Sequence, residues 1–231
     1  MINILEDHIW RSLPEHGGFS TNPNLRKKVD ETGAFLPFYG NTTVFLLDEG
    51  TKQTLHEIRQ ELYRAAGWML SEPLDPATFH MTLHDLINAP VWDQELAAKM
   101  AEAEHKAKAL LHAWKDQPPL RMRTTWLFNM VNTSIVLGLA PADGDSWRRL
   151  DEMYGALESV VHLGYGLTPH ITMAYYRPGT YSQQELDALR SALRPVELEI
   201  EAKMEDLVFQ NFCHMNLYTQ EDLPQMGGIP V

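Results

Sequence analysis

Cysteine is almost absent from this chain of 231 residues: Cys213 stands alone. A single thiol excludes an internal disulfide and any zinc site built from several cysteines. Long apolar runs are missing too, and none approaches the roughly 18 residues that a membrane-spanning helix needs. The opening stretch Met1-Ile2-Asn3-Ile4-Leu5-Glu6-Asp7 has neither the basic start nor the long apolar segment of a secretion signal. A reducing, cytoplasmic location is therefore expected, with no membrane partner. Positive charge is scarce: 19 Lys and Arg stand against 31 Asp and Glu, a formal net charge of −12. Proteins that grip long nucleic acid carry a basic face that neutralises phosphates. This balance speaks against long DNA and favours a small nucleotide or a short RNA terminus, bound by a monomer.

What is present is enough for a packed core. Hydrophobic residues make up 44% of the chain, with six Trp and eight Phe, which argues against disorder.

The order of these residues holds an internal repeat. Asn41-Thr42-Thr43-Val44-Phe45-Leu46 returns as Asn132-Thr133-Ser134-Ile135-Val136-Leu137, an offset of 132 − 41 = 91. His80-Met81-Thr82-Leu83 returns as His170-Ile171-Thr172-Met173, an offset of 170 − 80 = 90. Between these pairs, Leu55, Ile58 and Leu62 form one helical stripe, and Trp147, Leu150, Tyr154, Leu157 and Val161 form another. Second helices are expected from Trp92 to about Trp114 and from Ser182 to about Leu193, each ending before proline. Strands are expected over about 121–127, 196–200 and 208–218. Each copy thus reads β-α-β-α-β. The expected fold is α+β, with duplicated units forming two lobes related by a pseudo-twofold axis around a central cleft. Residues 1–40 lie outside the repeat as an amino-terminal extension. Residues 41–231 form the bilobal domain, with copy one at about 41–128 and copy two at about 129–218.

In a strand, residues i and i+2 share a face. His80 and Thr82 are then paired on one face, with Met81 and Leu83 anchored behind, and His170 and Thr172 repeat the arrangement. Two imidazoles and two hydroxyls suit a phosphodiester. The threonines can donate to the non-bridging oxygens. The histidines, with an unperturbed pKa near ~6.5, can serve as base and acid on opposite sides of phosphorus. This scheme needs neither a metal nor another cofactor.

With these motifs in view, the sequence resembles the 2H phosphoesterase superfamily, which includes LigT-like RNA ligases and cyclic phosphodiesterases. The resemblance rests on His80-Met81-Thr82-Leu83 and on Leu167-Thr168-Pro169-His170-Ile171-Thr172-Met173, and it spans about residues 41–218. It implies a bilobal fold with a pseudo-twofold active-site cleft. It also implies metal-independent opening or hydrolysis of a ribose-linked phosphodiester, such as a 2′,3′-cyclic phosphate or a short 2′-5′ linkage. His80 and His170 would be catalytic, and Thr82 and Thr172 would bind the phosphate.

Other residues have open roles. Alternation places Tyr176 on the face of His170 and Thr172, where it can stack on a base or close the core edge. It equally places His84 beside His80 and Thr82, with Asp85 on the opposite face. That arrangement admits a competing metal site built on His80 and His84. Asn41 and Asn132 either line the cleft or initiate strands. Arg177 is a candidate phosphate contact, and Arg121 and Arg123 form a basic pair on one strand. His105 and His112 fit the polar face of a helix. A third alternative is a nucleotide-binding or RNA-binding module of the same fold without turnover.

Overall fold

Aspartate or serine side chains set where all four long helices begin. The computed structural model describes residues 13–221. In chain order its elements are β1 (Phe19–Ser20), β2 (Tyr39–Leu46), α1 (Glu49–Ala66), β3 (His80–Ala89), α2 (Gln94–Trp114), β4 (Leu120–Met130), β5 (Ser134–Pro141), α3 (Gly144–Glu158), β6 (His170–Tyr175), β7 (Thr180–Tyr181), α4 (Gln183–Ala192), β8 (Glu199–Ala202), β9 (Leu207–His214) and β10 (Leu217–Thr219). Asp48, Asp93 and Asp143 accept hydrogen bonds from the first free N–H groups of α1, α2 and α3, and Ser182 closes a capping box with Glu185 on α4. Such caps satisfy donors that the helix itself cannot. Among the described residues, no helix is long and apolar enough to cross a membrane.

The buried stripes of α1 and α3 repeat with their own spacing. Leu55, Ile58 and Leu62 correspond to Leu150, Met153 and Leu157, an offset of 95 (150 − 55, 153 − 58, 157 − 62). Met153 takes the place in the stripe expected of Trp147, which is 39% exposed, and Val161 lies beyond the helix end.

Eight antiparallel strands form one curled sheet in the order β10-β9-β2-β3-β6-β5-β4-β8. The architecture is the expected α+β arrangement. The last strand of each copy pairs across the repeat: β4 of the first copy pairs with β5 of the second, and β9 of the second pairs with β2 of the first. The cause is the turn after Met130. Val131 and Asn132 both adopt positive φ (45° and 58°), and the Thr133 N–H closes the turn onto the Met130 carbonyl at 2.9 Å. Two successive left-handed residues match the twist of a hairpin. The chain therefore folds β4 directly onto β5, and the place beside β2 is filled by β9.

At the middle of the sheet, β3 and β6 pair at one residue pair, Met81 opposite Ile171. Their separation, 171 − 81 = 90, equals the offset of the histidine motifs. An antiparallel pair is related by a local twofold axis, so the axis of the repeat runs through this pair. Residues 13–38 bury Leu13, Leu25 and Val29 in the core, pair β1 with β7, and reach the mouth of the cleft at Lys28 and Phe38.

Candidate active site

The register Met81–Ile171 sets His80 beside Thr172 and Thr82 beside His170 on neighbouring strands. All four side chains line one cleft of about 260 Å³. That is just under the roughly 300 Å³ at which small-ligand sites commonly start. Met81, Ile171, Leu83 and Met173 lie buried behind it as the alternation requires. Among the described residues, neither the Thr82 nor the Thr172 hydroxyl has a hydrogen-bond partner. Both remain available as donors to a ligand.

Each imidazole is held through the backbone two residues upstream. His170 Nδ1 lies 2.7 Å from the Thr168 carbonyl oxygen, and His80 is hydrogen-bonded to the backbone of Thr78. A carbonyl only accepts, so Nδ1 of His170 carries the proton and Nε2 is free for chemistry. Burial pushes the pKa of His80 down to about 4, against the pull of the Thr78 hydrogen bond and of Asp85. Burial lowers His170 as well, opposed by Thr168 and Asp85. The charge of His170 adds a smaller lowering contribution at His80. The ring of His80 meets Tyr218 of β10 edge-on, with centroids 4.9 Å apart.

Beyond the threonines, strict alternation fails in both copies at the same place. In β3, Val44 faces Thr82 while Thr43 faces His84, so Leu83 is an extra residue. In β6, Val136 faces Thr172 while Ile135 faces Ala174, so Met173 is the extra residue. A β-bulge of this kind reverses the facing of everything after it. Asp85, expected on the far face, therefore lines the cleft, and His84, expected beside His80, turns into the core. There His84 is 1% exposed and its Nε2 lies 3.1 Å from Glu158 Oε1. The hydroxyls of Thr42 and Thr43 both donate to the His84 carbonyl, at 3.0 and 3.3 Å, which fixes the bulge. His80 and His84 thus point to opposite sides of the sheet and do not form a ligand pair.

The second bulge corrects the tyrosine in the same way. Tyr176 is 0% exposed and packs edge-on against Phe19 at 5.3 Å, so it closes the core and does not reach the cleft. Its neighbour Tyr175, the counterpart of Asp85 (85 + 90), lines the cleft instead.

The remaining candidates are structural. Asn41 ties β2 to α2 and β3 through Met100 and Ile87, and Asn132 sits in the hairpin turn, bonded to Ser20. The Arg177 N–H bonds the Met69 carbonyl, away from the cleft. Arg121 pairs with Asp143 at 3.6 Å, Arg123 is exposed, and His105 and His112 are exposed on α2. Sequence reasoning missed Lys28, whose ammonium lies 4.8 Å from the Phe38 ring centroid and 6.0 Å from that of Tyr175. Lys28 lies outside the repeat, where no periodicity marks it.

No family model matches the sequence, and no curated protein matches it. Solved structures do. A conserved protein of unknown function from Agrobacterium tumefaciens, ATU0111, superposes with a TM-score of 0.63 at 19% identity, over 93% of this chain and 97% of that one. TT0787 of Thermus thermophilus superposes with a TM-score of 0.51 at 16% identity, over 78% of this chain and 93% of that one. LigT of Escherichia coli, in a complex with NADP+, is also among the matches. Its TM-score is 0.36 at 14% identity, over 77% of this chain and 99% of that one. The chain therefore shares its α+β fold with the Agrobacterium and Thermus proteins.

Proposed function

We propose that this protein is a phosphoesterase that opens a ribose-linked phosphodiester by two-histidine acid–base catalysis. A 2′,3′-cyclic phosphate or a short 2′-5′ linkage is the favoured substrate. The observation that carries this reading is the pairing of two His–Thr sets across a twofold axis in one cleft, with both hydroxyls unengaged. The two threonines hold the non-bridging oxygens. His80, whose pKa burial depresses to about 4, accepts the proton of the attacking water. His170 donates from Nε2 to the departing ribose oxygen. One P–O bond forms as the other breaks, and the Nδ1–H of His170 stays on the Thr168 carbonyl throughout. The motif resemblance to the 2H phosphoesterases points the same way. The acidic chain and single cysteine accord with a monomer acting in the cytoplasm.

The test is a screen of purified protein against the nucleoside 2′,3′-cyclic phosphates and short 2′-5′ and 3′-5′ oligonucleotides, with product positions assigned by phosphorus NMR. A nucleoside monophosphate product formed after exhaustive EDTA treatment is expected. Absence of turnover on every substrate, or activity that returns only with added metal, overturns the reading.

A further inference from the structure

The His–Thr groups number four, and a phosphodiester in reaction offers them four positions. Two are non-bridging oxygens for the threonines, and two are ester oxygens, attacking and leaving, for the histidines. A cationic group shares the cleft with them. Lys28 is the one Lys or Arg among the described residues lining the cleft. Its ammonium is bracketed by the Phe38 and Tyr175 rings, and among the described residues no carboxylate lies within 4 Å of it. The Lys28 backbone is fixed: its N–H bonds the Leu25 carbonyl at 2.8 Å, and its carbonyl accepts from Leu36 at 2.9 Å. Tyr175 follows Thr172 on β6, beyond the bulge. Asp85, the counterpart of Tyr175, borders the same cleft and acts on the lysine charge from a distance, so an anion is favoured where it meets the ammonium itself.

We propose that Lys28 is a specificity-determining residue that holds a second phosphate of the substrate, separate from the one that reacts. The inference rests on the phosphoesterase reading and narrows it. The preferred substrate is a nucleotide that carries a terminal phosphate in addition to its cyclic or bridging diester. A desolvated ammonium between two aromatic faces is a point charge already stripped of water, and a phosphate completes its unfilled donor sites. The cleft, at about 260 Å³, holds more than a single phosphate group.

The experiment is calorimetric binding, in mildly acidic buffer, of a nucleoside 2′-monophosphate and the matching 2′,5′-bisphosphate to the full chain. The wild type is expected to bind the bisphosphate at least about tenfold more tightly. K28M, which keeps the apolar stem against Phe38 and Tyr175, is expected to bring that affinity ratio close to one, and K28R to preserve it. Thermal unfolding of each variant verifies the fold. A ratio near one in the wild type overturns the proposal, as does a ratio that K28M leaves unchanged because both affinities fall together. Binding is read without turnover, so the two failures separate. A Lys28-dependent ratio in a protein that turns over no substrate contradicts the phosphoesterase reading alone, and turnover without such a ratio contradicts only the role of Lys28.

Discussion

The two copies are alike at their centre and different at their flanks. Around the Met81–Ile171 pair, His80 and Thr82 match His170 and Thr172 in residue type, facing and backbone support. Both strands then bulge one residue past the threonine. From there the copies part: Asp85 stands where Tyr175 stands, and His84 where Ala174 stands. The groups next to the axis are the same in both copies, and those further out differ. On the proposed function, the matched groups would treat the two sides of one phosphorus atom equivalently, and the unmatched ones would meet a substrate that has no twofold symmetry. Lys28, from a segment with no counterpart in the repeat, deepens the same asymmetry.

The comparison is broken most severely at the histidines. His80→Ala and His170→Ala should each lower kcat/KM on the order of 10³-fold, measured on whichever cyclic phosphate the screen identifies. Thr82→Ala and Thr172→Ala should cost less, on the order of 10²-fold, because each removes one phosphate donor and leaves proton transfer intact. The two threonine effects should agree within about tenfold. A threonine in one copy that can be removed freely would show that the axis is structural and not functional.

The flanking positions should fail in stability and not in chemistry. His84→Ala removes a core imidazole and its contact with Glu158, and should cost about 2–4 kcal/mol in denaturant unfolding with kcat preserved. Glu158 is held at about 2 by the Leu163 N–H, His84 and His162, which together outweigh its desolvation. A fall in kcat matching that of His80→Ala would return His84 to the site.

Titration sharpens the contrast further. His80 stays neutral in the folded protein down to about pH 4 and protonates near 6.5 when unfolded. Its depressed pKa costs nothing above about pH 6.5. As pH falls from there to 4 the unfolded chain binds the extra proton, and stability declines by up to about 3 kcal/mol. His80→Gln should flatten this part of the stability curve, and an unchanged curve would contradict the burial of His80. The smallest effect belongs to Tyr176. Its hydroxyl is buried without a partner among the described residues. Tyr176→Phe should therefore leave KM unaltered and shift stability by less than about 1 kcal/mol, toward greater stability. A raised KM would place Tyr176 in the cleft after all.

Much of this was legible in the sequence. The duplication, the helices and the four groups at the axis follow from periodicity and from two matched motifs. Three features were not legible, each for a physical reason. The exchange of β4 and β9 depends on a turn whose left-handed residues are Val131 and Asn132, without the glycine that usually marks one. The bulges at Leu83 and Met173 carry no glycine either, yet they exchange Asp85 for His84 and Tyr175 for Tyr176 at the cleft. Lys28 reaches the site through tertiary packing of Leu25 and Val29, which no local pattern encodes.

The central claim is that His80 and His170 act as one acid–base unit, and a double-mutant cycle on kcat/KM tests it most directly. If the account holds, His80→Ala/His170→Ala is no more than about tenfold worse than the poorer single variant, because either loss already disables the pair. Losses that multiply in the double variant, or a single variant near the wild-type rate, would contradict it.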